Sequence, residues 1–337
     1  MFCGYLSPWW ASLRHTQLRM RGLTNYHLSC CVNSMLQTLA ATWELAVILE
    51  KWQVAGSGAD DCNIPLQLKK VLTAMQSDAT QPAPHRDFLH CLDRNSIRLN
   101  IQHDADEIFL SILGLIRQQM DDRVLALEIE NLYKISVETQ LQCLECNLVQ
   151  TRSSFLLSLP LHIKEDENSL EDCMASFFEH QELRGTNSCY CTHCETRNPS
   201  RQGLKLNSLP QILCIQLKRF RNRRGSTQKL ECTVTFPENV DFSEILIEAF
   251  SASFSRKECK YTLYAVVVHC GCAAFGHYTA FVRHKVNQQW YYADDSHVQQ
   301  VSWREVQTAY GRLGRGTAYM LMYRRDLTQE GEPNLSG

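Results

Sequence analysis

One cysteine of this chain stands at the predicted start of an amphipathic helix. Cys30 follows Ser29, a residue type that often caps helices, and the apolar residues after it recur at helical spacing. The positive end of a helix dipole favours a thiolate, the form in which cysteine attacks a carbonyl carbon. Asn25 lies in the loop leading into this helix, where its amide can donate to the oxyanion of a tetrahedral intermediate. Because most single cysteines are inert buried thiols, Cys30 indicates catalysis only if it has partners.

Candidate partners occur near the other end of the chain. His277 follows a glycine-containing loop and begins a β-rich run, a position that suits a fixed imidazole base. Asp294 and Asp295 come one predicted hairpin later, and a carboxylate there can hold the imidazole in the required tautomer. Each of these residues alone is more simply interpreted as an ordinary surface group. Together with Cys30 they predict a nucleophile, its base and an orienting acid.

Four further cysteines are arranged as two C-x-x-C pairs, each between predicted strands: Cys143 and Cys146, then Cys191 and Cys194. Two such pairs are the usual way to present four thiolates tetrahedrally to zinc. We interpret them as a structural zinc ribbon, with free thiols or a site that has lost its metal as the alternative. Cys189 and His193 are spare ligands that could replace one of the four.

The pattern of apolar residues predicts an α+β chain, with helices first and a sheet later. Helices are predicted over residues 31–52, 65–75 and 169–178, and from Asp104, which with Glu107 resembles a capping box. Strands are predicted from about residue 135 onward, over residues 135–141, 155–161, 212–220, 261–269, 280–284, 289–292 and 318–323. Residues 1–21 are predicted to be a disordered leader, and residues 326–337 a disordered tail.

Composition narrows the possible functions. The 337 residues are 44% apolar and carry a net charge of −2, so nothing attracts the chain as a whole to nucleic acid or to an anionic membrane. No apolar run approaches the roughly 20 residues that span a bilayer. The N-terminal segment lacks the pattern of a secretory signal. We therefore expect a reducing compartment, in which the 16 cysteines are thiols or metal ligands.

Taken together, these segments resemble the ubiquitin-specific protease family, whose motifs occur here in family order. The cysteine box, acidic motif, core strand, histidine box and closing strand match residues 22–37, 102–107, 209–220, 261–302 and 318–323. The resemblance implies a papain-like cysteine protease with one catalytic domain over residues 22–325. Its subdomains would be a helical thumb, β fingers tipped by the zinc ribbon and a β-sheet palm, over residues 22–132, 133–235 and 236–325.

The resemblance also implies a role for each site residue. Cys30 is the nucleophile, His277 the base and Asp294 the residue that orients it. Asn25 becomes the oxyanion donor, and Asp295 assists in polarising the site.

Two residues of the acidic motif, Gln102 and Asp104, are implied to bind substrate. At the position of Asp104 the family uses a carboxylate to grip an arginine in the C-terminal tail of the modifier. The chain departs from the family at His27, where glycine is usual, and at Ser29, Cys31 and Gln216. If position 27 needs a positive φ, histidine is tolerated better there than a β-branched residue.

Finer features resemble the interferon-induced deISGylating member of the family: the adjacent Cys30 and Cys31, and residues 177–183, 189–191, 204–206 and 301–303. This implies an isopeptidase that removes an interferon-induced modifier built of two tandem ubiquitin-like domains. It also implies a restraint on interferon signalling through a receptor complex, and a monomer that acts in the cytoplasm, with the nucleus as a second location. Two alternatives stay open: a general deubiquitinase, and a non-catalytic scaffold that binds the modifier or a receptor.

Overall fold

Helices dominate the first third of the chain and strands the remainder, as the α+β prediction requires. A computed structural model describes residues 20–326, except 54–61, 224, 253, 255–258, 274, 312–313 and 315. Its helices are α1 Cys30–Ala41, α2 Trp43–Lys51, α3 Ile64–Met75, α4 Arg86–Arg94, α5 Ala105–Gln119, α6 Arg123–Tyr133, α7 Leu170–Phe178, α8 Phe242–Ile245 and α9 Trp303–Val306, with short 3₁₀ turns at Gly185–Asn187 and Gln307–Tyr310.

The strands of the described chain form one large sheet and several small ones. They are β1 Ile135–Cys143, β2 Val149–Leu156, β3 Leu159–Leu161, β4 Asn168–Ser169, β5 Gln181–Leu183, β6 Cys189–Cys191, β7 Thr196–Asn198, β8 Ser200–Ser208, β9 Ile212–Leu217, β10 Phe220–Arg223, β11 Ser226–Lys229, β12 Val234–Thr235, β13 Asn239–Asp241, β14 Lys260–Gly271, β15 Gly276–Arg283, β16 Trp290–Asp294, β17 His297–Val301 and β18 Thr317–Arg325.

The large sheet has the order β17-β16-β15-β14-β18-β9-β3, with β13 paired beside β14, and only the β3–β9 pair is parallel. Its central strand β14 has apolar side chains on both faces. Ala265 and Val267 join the core shared with the helices, whereas Val266 and Val268 join the core on the opposite face. A strand buried on both faces has a continuous apolar run, which is the pattern seen here.

The predicted helix over residues 31–52 is two helices in the structure. The break falls at Thr42, and the axes of α1 and α2 differ by 80°. Thr42 Oγ1 lies 3.0 Å from the backbone oxygen of Thr38 and 2.7 Å from the Tyr264 hydroxyl. The two contacts hold the buried Thr42 side chain at the point where α1 ends. The periodicity of apolar residues does not reveal such a tertiary contact. Helices α4, α6, α8 and α9 were not predicted.

The smaller sheets carry the predicted fingers. A four-stranded sheet in the order β2-β1-β8-β5 leads to the β6–β7 hairpin, and both C-x-x-C pairs lie at strand ends. The predicted fingers segment, residues 133–235, also supplies β3 and β9 to the large sheet, so in space the fingers are smaller than that segment. The subdomain boundaries themselves stay predictions.

The predicted disordered ends lie largely outside the described residues. Arg21, at the end of the predicted leader, is ordered in the structure. Its guanidinium donates to the backbone oxygens of Ala74, Gln81 and Pro82, which explains why this residue is buried. Among the described residues no single helix is long and apolar enough to cross a bilayer, and α1 with α2 meets that test only as a bent pair.

Candidate active site

Cys30 is the first residue of α1 and is 6% exposed. As a first-turn residue it has a backbone N–H without an intrahelical acceptor. Two local hydrogen bonds stabilise the preceding loop: Tyr26 N–H donates to Ser29 Oγ (2.9 Å), and Ser29 N–H donates to Asn25 Oδ1 (3.3 Å). Ser29 occupies the predicted N-cap position. Its side chain makes no capping hydrogen bond, so that part of the prediction is wrong. His27 has a φ of 60°, the positive value for which histidine is tolerated.

His277 lies at the start of β15, and its ring reaches Asp294 at the end of the neighbouring strand β16. Nε2 donates to Asp294 Oδ1 across 2.7 Å. Hydrogen bonds to Cys30 and to Asp294 raise the pKa of His277 to about 9, against the opposing effect of burial. Since Nε2 is taken by Asp294, Nδ1 is the nitrogen left for the thiol. The structure thus brings Cys30, His277 and Asp294 together with the imidazole between the other two.

The two adjacent cysteines have different environments. Cys31 is 2% exposed, and burial raises the pKa of its thiol well above the usual value. A neutral thiol in that place packs as an apolar group. Cys30, by contrast, is hydrogen-bonded to His277, so of the two thiols only that of Cys30 has a candidate base beside it.

Asp295 is hydrogen-bonded to two asparagines beside the nucleophile. Asn25 Nδ2 donates to its Oδ2 and Asn33 Nδ2 to its Oδ1, both at 2.8 Å. Asp295 has a φ of 50°, a conformation that aspartate tolerates. The Asn25 amide is therefore fixed in orientation, with its carbonyl oxygen on Ser29 and its nitrogen on Asp295.

Sequence reasoning missed two residues that support this arrangement. Asn33 is buried one helical turn after Cys30, and its Oδ1 accepts from His85 Nε2 at 3.0 Å. Burial lowers the pKa of His85, against the opposing effect of a hydrogen bond to the backbone of Ala83. A polar residue on the apolar face of α1 was a signal that could have revealed Asn33, whereas His85 carries no signal in the sequence.

The two residues implied to bind substrate make internal contacts in this structure. Asp104 caps α5, because its Oδ1 accepts the backbone N–H groups of Asp106 and Glu107, and its Oδ2 accepts from the Tyr319 hydroxyl. The side-chain amide of Gln102 hydrogen-bonds the backbone of Gly276. Substrate binding by either residue stays a prediction.

The four cysteines of the two C-x-x-C pairs come together at the tip of the fingers. Their Sγ atoms all lie within 4.8 Å of one another, and Cys146 and Cys191 are 3.5 Å apart. Thiolates at 2.3 Å around a tetrahedral zinc ion are about 3.8 Å apart, so the cluster has the size and donor chemistry for zinc. Neither Cys189 nor His193 belongs to this group. No disulfide joins cysteines in the described part of the chain.

Comparison with known protein families gives the same class as the fold and the site. The family described as ubiquitin carboxyl-terminal hydrolase matches residues 21–323, nearly the whole described chain. The chain belongs to this family and is a cysteine-type hydrolase with a papain-like fold. The resemblance seen in the sequence motifs is thereby confirmed.

Individual relatives are similar over most of the chain. "Ubl carboxyl-terminal hydrolase 18" of Mus musculus is 36% identical over 312 residues, which cover 90% of this chain and 84% of the mouse protein. The protein of the same name from Homo sapiens is 33% identical over 313 residues, with the same coverage. "Ubiquitin carboxyl-terminal hydrolase 47" of Xenopus tropicalis is 28% identical, but the matched part is 28% of that longer protein.

Proposed function

We propose that this protein is a thiol-dependent isopeptidase that removes the interferon-induced modifier with two ubiquitin-like domains from its conjugates. The observation that carries the chemistry is the contact of His277 with both Cys30 and Asp294. The choice of modifier is supported by the sequence resemblance and by two relatives whose names specify a Ubl rather than ubiquitin.

In the acylation half-reaction, Cys30 Sγ attacks the carbonyl carbon of the modifier's terminal glycine as a thiolate. A C–S bond forms, and the carbonyl electron pair moves onto oxygen. When the oxyanion collapses, the bond to the lysine nitrogen breaks and His277 Nδ1 gives its proton to the departing amine. Asp294 holds Nε2 throughout, which fixes the ring orientation.

In the deacylation half-reaction, the now neutral His277 takes a proton from water. The water oxygen attacks the thioester carbon, the C–S bond breaks, and the thiolate leaves. The modifier's carboxylic acid is released and gives its remaining proton to solvent, and the thiolate beside a protonated imidazole is restored. No further group is consumed in this cycle.

The oxyanion is stabilised by two donors next to Cys30. One is the Cys30 backbone N–H at the first turn of α1, and the other is the Asn25 Nδ2 group. Asn25 Nδ2 has two hydrogens, so one can stay on Asp295 while the other reaches the oxyanion. Asp295 thereby keeps the donor in place before substrate arrives.

We further propose that zinc is bound by Cys143, Cys146, Cys191 and Cys194 as a structural ion. Its support is the cluster geometry, four soft donors within 4.8 Å of one another. All four tetrahedral positions belong to the protein, so the ion holds the tip of the fingers and takes no part in the reaction. Contact with an interferon receptor complex, restraint of interferon signalling, a monomeric state and location in the cytoplasm and nucleus remain proposals from the sequence resemblance.

Vinyl-sulfone probes distinguish the candidate activities. The wild-type chain and Cys30→Ala are incubated with the probe made from the two-domain modifier and with the ubiquitin probe. We expect the wild type to label preferentially with the two-domain probe, and Cys30→Ala to label with neither. Preferential labelling by ubiquitin would favour a general deubiquitinase, which the similarity to ubiquitin carboxyl-terminal hydrolase 47 supports. No labelling of a folded wild-type chain would leave only the binding scaffold.

A further inference from the structure

We propose that Gln102 is a positioning residue for His277, an inference that rests on the catalytic role proposed above. Gln102 Nε2 donates to the Gly276 carbonyl oxygen at 2.6 Å, and Gln102 Oε1 accepts the Gly276 N–H at 3.1 Å. Both ends of one side-chain amide are thus taken by a single backbone residue. Gly276 directly precedes His277, so these two bonds fix the point from which the imidazole projects.

A buried histidine lies next to the α-carbon of Gly276. A Cβ atom added at Gly276 would lie 2.0 Å from His269 Nε2. The His269 ring is 1% exposed and packs against the rings of Phe220 and Tyr278, at centroid distances of 5.1 and 4.7 Å. It has little room to retreat. The Gly276 backbone is therefore hydrogen-bonded by the Gln102 amide and has the His269 ring close to its α-carbon.

Gln102 also connects the two halves of the molecule that carry the reacting groups. It lies just before Asp104, the N-cap of α5, and α5 packs against α1, the helix that begins at Cys30. Gly276 belongs to β15 of the large sheet. The bonds between Gln102 and Gly276 thus cross from the helical half to the sheet, and they add to the direct packing of α1 against β15 in holding the His277 ring near the Cys30 thiol. Asp294 orients the ring, whereas Gln102 places its backbone.

The test compares Gln102→Met with wild type and with Gln211→Met. Methionine has the length of glutamine but cannot make either hydrogen bond. Gln211 also donates to a backbone oxygen, that of Arg325, which pairs with Tyr261 near the far end of β14. With the aminocoumarin amide of the modifier as substrate, we expect kcat of Gln102→Met to fall by about 100-fold, the loss typical of a roughly 1 Å misplacement, with little change in KM. Gln211→Met should behave as wild type.

The pH profile separates positioning from a general loss of folded protein. The titratable groups near His277 are Cys30, Asp294, Asp295 and His269. If the ring loses its contact with the thiol, the alkaline limb, set by a pKa of about 9 in wild type, moves to lower pH. A variant that is only partly unfolded keeps the wild-type profile at reduced amplitude. An unshifted profile together with wild-type kcat would overturn the inference.

A readout that needs no modifier makes the result independent of the proposed substrate. Iodoacetamide alkylation of Cys30, followed by mass spectrometry across the pH range, should be slower near neutral pH in Gln102→Met than in wild type, because a neighbouring imidazolium favours the thiolate that reacts. If wild type hydrolyses neither modifier, the proposed function fails, while the alkylation profile still decides the role of Gln102. As a second pair of variants, Gly276→Ala should reproduce the loss, and adding His269→Ala should restore only part of it, because the added Cβ would also lie 2.8 Å from the Cys270 backbone oxygen. If the double variant has the wild-type melting temperature but no activity, the contact between the His269 ring and Gly276 does not have the proposed role.

Discussion

Asn25 and Asp295 join the loop before the nucleophile to the turn after β16, through a hydrogen bond of 2.8 Å from Asn25 Nδ2 to Asp295 Oδ2. The bond spans 270 residues of sequence and aligns the amide before any substrate is present. Preorganised donors stabilise a developing oxyanion without the cost of reorientation during the reaction. The carboxylate of Asp295 therefore holds the amide that we propose as the oxyanion donor, while the carboxylate of Asp294 holds the imidazole.

Replacing Asn25 should lower kcat far more than it raises KM. Loss of one oxyanion donor typically costs about 10²–10³ in kcat, and we expect Asn25→Ala to fall in that range. Asp295→Ala should cost less, because it leaves the donor present but loosely held. Steady-state kinetics with the modifier's aminocoumarin amide measures both, and Asn131→Ala on the exposed surface of α6 is the control. Unchanged kcat in Asn25→Ala would remove Asn25 from the oxyanion site.

The pH dependence of activity follows from the raised pKa of His277. Hydrogen bonds to Cys30 and Asp294 stabilise the imidazolium, so its proton is lost only near pH 9. Activity should therefore decline as pH rises through about 9. Asp294→Asn removes one of the two partners and should move that limb to lower pH. An alkaline limb unaffected by Asp294→Asn would contradict the assigned contact.

The same shift has a consequence for stability. The folded pKa lies above the ordinary value of about 6.5. The contribution of His277 is thus fully present below about pH 6.5 and is lost as pH rises through about 9. Melting temperature against pH should show a decline for wild type in that window and a weaker one for His277→Ala. Parallel curves for the two proteins would show that the imidazole adds no such stability.

The sequence was informative where one residue type carries the chemistry. Cys30, His277 and Asp294 could be predicted because a nucleophile, a base and an orienting acid each need a particular side chain. The contact of Gln102 with the backbone of Gly276 could not be predicted, because a backbone partner has no signature in the sequence. Its implied role in substrate binding stays a prediction.

The two residues that support the proposed oxyanion site, Asn33 and His85, were not predicted from the sequence either. Asn33 and His85 are 52 residues apart in the chain, and their contact depends on how the helices pack. Periodicity correctly predicted most strands of the large sheet and helices α3, α5 and α7. It failed at Thr42, where a tertiary contact to Tyr264 lies beside the break between α1 and α2.

The contact between Thr42 and Tyr264 should be measurable as a coupling energy. Both residues are buried, and their hydroxyl groups are 2.7 Å apart. Thr42→Val leaves the Tyr264 hydroxyl without this partner and should cost about 1–3 kcal/mol. Tyr264→Phe added to Thr42→Val should cost little more, because the stranded hydroxyl is gone. Urea unfolding of the two single variants and the double variant gives the cycle, and additive losses would mean that the contact contributes nothing.

The proposed zinc site makes a prediction with a closely matched control. Cys143→Ser should lose zinc and melt several degrees lower, because a metal bound only by the folded state stabilises it. Cys189→Ser changes a cysteine of the same fingers whose Sγ lies outside the cluster, so it should keep both zinc and melting temperature. Elemental analysis of the purified proteins gives the metal content, and calorimetry gives the stability.

If Cys143→Ser keeps the wild-type melting temperature, and wild type carries no zinc, the four thiols are packing groups. If the two serine variants lose zinc equally, the ligand set is wrong although a site exists. We expect neither of these two results. The Sγ atoms of all four proposed ligands lie close together at the tip of the fingers, and the Sγ atom of Cys189 is not part of that group.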